Sequence, residues 1–224
     1  MDCFKNKKVL VTGHTGFKGS WLCAWLKQLG AEIIGMSNSV PTEPAHFEVL
    51  DGIVDHDIRV DIRNKNKVVE TIMKHSPDFI FHLAAQPIVF DAYNAPFETF
   101  EVNAMGTASV LEYLRNSSCE CIAVFITSDK CYDNVEFLWG YKETDRLGGK
   151  DPYSASKAMA ELAINSFYNS YFKEDKSNVK IGIARAGNVI GGGDWAENRL
   201  IPDCIRSWKK NKTVVIRNPK STRP

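Results

Sequence analysis

Tyr153-Ser154-Ala155-Ser156-Lys157 starts a helix pattern directly after Asp151-Pro152. Residues four apart share a helix face, so the phenol and the ammonium point the same way. A nearby lysine charge favours phenolate and lowers the tyrosine pKa towards neutrality, as a base removing a hydroxyl proton requires. Taken alone, Tyr-x-x-x-Lys is a common spacing, and a half-buried tyrosine beside a solvated lysine is its ordinary explanation. A second set of polar groups stands at the end of an apolar run, in Ile126-Thr127-Ser128-Asp129-Lys130-Cys131-Tyr132. An aspartic acid there can protonate a leaving hydroxyl, and the adjacent lysine can abstract a carbon-bound proton if its pKa is depressed.

The third group is a turn, Thr12-Gly13-His14-Thr15-Gly16-Phe17-Lys18-Gly19, set between an apolar run and a helical pattern. Its glycines at 13, 16 and 19 allow a tight turn, a close backbone approach to a pyrophosphate, and close packing of helix on strand. The following helix offers free N–H groups and a positive dipole to phosphates. In that context the turn is strong evidence for dinucleotide binding, and it raises the functional weight of Tyr153 and Lys157. Phe17 and Lys18 lie inside the turn and are counted with it as cofactor-binding. A ribose-binding acid is expected about 20 residues further on. Met36-Ser37-Asn38 stands there with neither an acid nor an arginine. Ser37 or Asn38 can bond ribose hydroxyls, which favours NAD over NADP.

These groups need a scaffold of alternating elements. Val9-Leu10-Val11, Ile33-Ile34, Phe79-Ile80-Phe81, 122–126 and Ile181-Gly182-Ile183 read as strands. Between them run helical stripes: Trp21, Leu22, Trp25, Leu26 and Leu29, then Val68, Val69, Ile72 and Met73. Ala104, Ala108, Leu111 and Leu114 form the next, and Ala155, Met159, Leu162 and Ala163 the last. Apolar strands joined by crossover helices imply an α/β fold, a doubly wound parallel sheet of Rossmann type covered on both faces. Trp21 and Trp25 read as core residues, His82 as a structural histidine below the cleft, and His14 as a loop residue. The character changes after Gly191. A short helix near 202–210 and a strand at Val214-Val215-Ile216 follow, and the chain stops without a closing helix. The expected organisation is a dinucleotide-binding domain over 1–187 and the start of a smaller C-terminal substrate lobe over 188–224, cut short.

Composition narrows the class. With 224 residues, 44% apolar and 25% charged, the chain is an ordinary globular protein rather than a disordered or disulfide-stapled one. Its 28 basic and 27 acidic residues leave a net charge of +1, so no global field draws it to nucleic acid or anionic lipid. No apolar run reaches the ~18 residues a membrane span requires, and the N-terminus does not read as a signal peptide. The six cysteines form no Cys-x-x-Cys pair, so no metal site is expected. They read as reduced, mostly buried thiols of a cytoplasmic protein, with Cys131 the exception to watch.

The Gly-x-x-Gly-x-x-Gly turn and the Tyr-x-x-x-Lys pair together resemble the extended short-chain dehydrogenase/reductase family. Within it, Ser128-Asp129-Lys130 resembles the strand tip of nucleotide-sugar 4,6-dehydratases, which usually carry Thr-Asp-Glu there. The Ser-Asp-Lys tip and Gly191-Gly192-Gly193-Asp194-Trp195 look like the branch that acts on CDP-glucose. That resemblance implies an NAD-dependent lyase of deoxysugar biosynthesis, as in lipopolysaccharide O-antigen. It assigns catalysis to Ser128, Asp129, Lys130, Tyr153 and Lys157. It also implies that Lys157 holds the nicotinamide ribose and that Thr127 faces the cofactor. Asp61 and Ile62 would contact adenine, and Leu83, Ala84 and Ala85 would line the cofactor cleft. Asn103 would shape the site around Tyr153 and Lys157; without the resemblance it reads as a helix cap. Gln86, Asn188, Arg199, Arg217 and Arg223 are the implied substrate contacts. A homodimer or tetramer built from helices near 104–115 and 153–172 is also implied, and exposure of Leu111 or Leu114 in a monomer would support it. A nucleotide-sugar 4-epimerase and a non-catalytic NAD-binding module are the alternatives.

Overall fold

A computed structural model describes residues 2–174, 177–216 and 219–220. Six strands form one parallel sheet in the order β3-β2-β1-β4-β5-β6. They are β1 (Lys8–Thr12), β2 (Glu32–Ser37), β3 (His56–Arg59), β4 (Phe79–His82), β5 (Cys121–Ser128) and β6 (Val179–Ala186). The helices are α1 (Phe17–Gln28), α2 (Lys65–His75), α3 (Val89–Asn94), α4 (Pro96–Phe100), α5 (Gly106–Asn116), α6 (Pro152–Phe167) and α7 (Leu200–Lys209). A π-helical turn, Glu101–Met105, joins α4 to α5.

This is the doubly wound arrangement, and the chain reverses direction across the sheet between β1 and β4. Ligands bind in such folds outside the carboxyl ends of the strands at that switch point. The ends in question are Thr12, Ser37, His82 and Ser128, with Thr12 in register with both Met36 and His82. Two apolar layers hold the sheet. Leu10, Ile34, Ile80, Val110, Leu111, Leu114 and Phe125 fill one face; Val9, Val11, Cys23, Leu26 and Ile33 fill the other. Each such side chain contributes roughly 1.5–3 kcal/mol on full burial.

Two expectations are corrected, for 214–216 and for the tryptophans, and two further points are added. β3 has no counterpart in the sequence reading, because His56-Asp57-Ile58-Arg59 is a polar edge strand with no apolar run to mark it. The backbone over 214–216 is irregular rather than a strand. Trp21 and Trp25 are 49% and 53% exposed: α1 turns Gly19, Ser20, Cys23 and Leu26 to the sheet instead, and the two indoles face outward. Leu111 and Leu114 are fully buried, since α5 uses them against the sheet.

α6 inverts the usual pattern. It buries Tyr153, Ser154, Ser156, Lys157 and Glu161, while Met159 and Leu162 of its apolar stripe are exposed. Among the described residues no helix is long and apolar enough to cross a membrane.

Candidate functional site

The first cleft, about 350 Å³, is walled by the glycine turn, 36–39, Asp61, Ile62 and 83–87. The turn works only with glycine at two places. Gly13 has φ +73°, and a Cβ there would lie 2.8 Å from the Ala84 nitrogen. A Cβ on Gly19 would lie 2.1 Å from the Gly13 carbonyl oxygen. α1 begins at Gly16 with no side-chain cap and no acid in its first turn, so its N–H groups and dipole face the cleft uncompensated. The donor set and the partly apolar wall fit NAD: the turn offers its N–H groups to a pyrophosphate, and Asp61 and Ile62 line the same cleft.

The floor of that cleft is a fixed polar chain. Thr12 Oγ1 accepts from the Leu83 and Ala84 N–H groups at 3.1 Å and donates to His82 Nδ1 at 2.8 Å. His82 Nε2–H then donates to Thr107 Oγ1, whose own proton goes to the Asn103 carbonyl. Burial holds His82 neutral, its pKa pushed down to about 3. It is structural, as its position in the sequence suggests. Asn103 is not a helix cap. Its side-chain amide accepts from Gln86 N at 2.8 Å and donates to Gln86 O and to Ser156 Oγ, fastening the cleft wall to α6.

A second cleft of similar size opens beside the first. Thr127, Ser128, Asp129, Tyr153, Asn188 and Arg199 line it. Asp151 caps α6 through the Ser154 N–H, with Pro152 in the first turn, and this starts the helix so that Tyr153 meets the cleft. Ser128 Oγ donates to Asp129 Oδ1 at 3.0 Å and accepts the Lys130 N–H, which closes the strand tip into a single tight turn, Asp129–Cys131. Lys157 is buried one turn below Tyr153; desolvation, then the Lys18 charge, lowers its pKa to about 8. Lys130 sits half-buried in the same turn but is not among the residues lining the cleft.

One group on α6 has no counterpart in the sequence reading. Glu161, fully buried, accepts a hydrogen bond from Thr127 Oγ1 at 2.6 Å and a paired contact from Arg185 at the end of β6. It stands four residues beyond Lys157, so the 153, 157, 161 spacing could have exposed it.

Other residues fall as follows. Asp61 is engaged by Arg63, whose guanidinium holds its carboxyl below the ordinary range. Ile62 packs against Gly106. Leu83, Ala84 and Ala85 line the first cleft; so does Gln86, whose amide closes on the Ile88 backbone. Lys18 and Arg199 line both clefts, and Arg199 pairs with Asp194 at 3.2 Å. Arg217 and Arg223 lie outside the described residues. His14 is more than a loop residue: its buried ring bridges Ser37 and Asp57 and fills the space over Gly35, so Ser37 is already engaged inward. Cys131 is buried against Glu161, its thiol pushed up to about 12, which makes it unreactive. Trp21 stacks on His46 and donates to the Gly192 carbonyl at 2.9 Å, tying the segment after β6 to α1.

Residues 9–224 match the model of the NAD dependent epimerase/dehydratase family. The chain is 48% identical to CDP-glucose 4,6-dehydratase of Salmonella typhimurium, over 99% of this chain and 63% of that protein. It resembles the Thermus thermophilus UDP-glucose 4-epimerase solved with NAD, at 31% identity and TM-score 0.73, covering 85% of this chain and 58% of that one. Epimerase Mth375 of Methanothermobacter thermautotrophicus superposes at TM-score 0.81 with 26% identity, over 95% and 61% of the two chains. The chain thus spans less than two thirds of the length of each of these relatives.

Proposed function

The chain belongs to the NAD-dependent epimerase/dehydratase family, and from that we propose that it forms the cofactor-binding and acid–base part of a 4,6-dehydratase acting on CDP-glucose. The observation that carries this reading is Asp129 lining one cleft with Tyr153. A 4-epimerase needs no acid beyond the tyrosine, so a carboxyl in that place favours dehydration.

NAD, held by the glycine turn, 83–85 and Lys157, would accept hydride from sugar C4 and later return it at C6. The protein's part is proton traffic and positioning. Tyr153 takes the C4 hydroxyl proton, with Ser128 bonding the same oxygen and the Lys157 ammonium supporting the phenolate. The resulting ketone acidifies C5–H. Lys130 from the adjoining turn, or an equivalent base, removes that proton and returns it to C5 when hydride reaches C6, and Asp129 protonates the departing C6 hydroxyl as water. Asn188 and Arg199, on the second cleft, hold the diphosphate, the role the resemblance also implies for Arg217 and Arg223.

The product, a 4-keto-6-deoxy sugar nucleotide, would feed deoxysugar synthesis in the cytoplasm. We further assign self-association to the exposed stripe formed by Met159 and Leu162 on α6 with Phe97 and Met105 beside it. The deciding experiment is incubation of the full-length protein with CDP-glucose, UDP-glucose and dTDP-glucose. Formation of a base-absorbing 4-keto-6-deoxy product from CDP-glucose is the expected result. An epimerised sugar, or no product from any of the three, would overturn the assignment.

A further inference from the structure

Glu161 is a buried carboxylate with no role in the chemistry above, yet it is bonded from two strands. On α6 it stands one turn below Lys157. From β5 it receives the Thr127 hydroxyl proton, and from β6 the Arg185 guanidinium, through Nε and the terminal nitrogen. The Cys131 thiol, from the turn after β5, lies close to it. Arg185 is itself held from above, its guanidinium 4.6 Å over the Tyr132 ring and 3.2 Å from the Glu143 carbonyl. One side chain therefore joins the helix bearing Tyr153 and Lys157 to the strand tip bearing Ser128 and Asp129.

We propose that Glu161 is a positioning residue: with Arg185 it locks the Ser128-Asp129 tip to the Tyr153-Lys157 helix and supplies the counter-charge for the buried lysine. This rests on the reading of Tyr153 and Lys157 as the acid–base pair. Burial of a carboxylate with a single guanidinium is at best near break-even for stability, since desolvation offsets most of the attraction. A hydrophobic pair of the same volume would hold the fold as well. The ion pair does something such a pair cannot: its carboxylate favours the charged form of Lys157 against burial and Lys18.

The groups facing Lys157 are few. Lys18 from α1 opposes its charge, and His82 beneath it on β4 is neutral. Glu161 on its own helix favours the charge, Cys131 from the turn after β5 is a neutral thiol, and Tyr153 lies one turn above. Glu161 is the one carboxylate in that set. Arg185 stands behind it and weakens its effect.

The two halves of the pair therefore act on Lys157 with opposite signs. Glu161→Gln keeps the shape and the Thr127 acceptor but leaves Arg185 uncompensated, so Lys157 loses its proton at lower pH. Arg185→Met leaves the carboxylate unpaired, so Lys157 keeps its proton to higher pH. The double variant removes both.

The test is the pH at which Lys157 titrates, read by NMR on protein carrying nitrogen-labelled lysine, with the alkaline limb of turnover as a second readout. For Glu161→Gln a downward shift of about one pH unit is expected, and for Arg185→Met an upward shift. The double variant should titrate below the unmodified protein but above Glu161→Gln, because the carboxylate outweighs the guanidinium behind it. Folded single variants that leave the lysine titration in place, or move it in the same direction, would overturn the proposal. If the single variants fail to fold, the double variant still decides. A lysine titration at or above that of the unmodified protein would show that the pair supplies no net counter-charge. Absence of turnover on any nucleotide sugar would instead count against the dehydratase reading alone, because the NMR titration needs no substrate.

Discussion

Nδ1 of His82 lies 2.8 Å from the Thr12 hydroxyl, joining the ends of β4 and β1 at the switch point of the sheet. The bond fixes the tautomer of a fully buried ring and ties the glycine turn to the cleft wall at 83–84. Burial of that ring, and then the Lys157 charge, also make the protein acid-sensitive. The folded pKa of His82 is pushed down to about 3, below the 6.5 of a free histidine. Its unfolded form therefore binds a proton that the native form refuses. The associated stability is fully present above about pH 6.5 and is lost as pH falls towards 3, at about 1.4 kcal/mol per pH unit. Urea unfolding at a series of pH values should show this slope, and His82→Gln should flatten it. An unchanged slope in that variant would mean that other groups dominate the acid limb.

Tyr153→Phe removes the hydroxyl proposed as base and should abolish C4 oxidation together with every later step. The measurement is loss of the C4-bound hydrogen from labelled sugar nucleotide. A loss on the order of 10²–10⁴-fold is expected for a general base. Retention of more than a tenth of the activity would remove the tyrosine from that role.

Asp129→Asn leaves the base and its lysine in place, so C4 oxidation should continue while water elimination slows. The 4-keto sugar with its C6 hydroxyl intact should accumulate in single-turnover experiments, detectable by mass. Full turnover in this variant would show that another group protonates the leaving hydroxyl.

Gly19→Ala places a methyl 2.1 Å from the Gly13 carbonyl, which is backbone and cannot move aside without opening the turn. A destabilisation of at least about 1–3 kcal/mol is expected from overpacking. NAD affinity, measured by calorimetry on whatever fraction stays folded, should fall as well. Unchanged affinity would show that the turn tolerates opening.

Leu162→Glu on the exposed face of α6 tests self-association. That side chain is 58% exposed in the monomer, so the substitution should leave thermal stability nearly unchanged. Sedimentation should show a shift from dimer or tetramer to monomer. An unshifted assembly would place the interface elsewhere.

The glycine turn, the Tyr153-Lys157 spacing and the polar end of β5 were legible because each is local. Backbone clearance, helix periodicity and strand termination are all decided within a few residues of chain. Long-range facts were not. The tryptophans of α1 satisfy a helical stripe, yet which side of that stripe meets the sheet depends on how closely Gly19 lets the helix approach Gly13. Asn103 reads as a cap until the fold brings Gln86 and Ser156 to it from elsewhere in the chain. β3 carries no apolar run, and its pairing with β2 is the only thing that makes it a strand.

α6 states the division most plainly. From the amino-acid order alone come a helix, its Asp151-Pro152 start, and a phenol and an amine on one face. Tertiary structure decided that this face is the buried one. Lys157 and Glu161 can lie in the interior because Thr127 and Arg185, from two other strands, neutralise and bond the carboxylate there. A periodic pattern records where apolar groups fall along one helix; it cannot record which distant partners make burial of a charge tolerable.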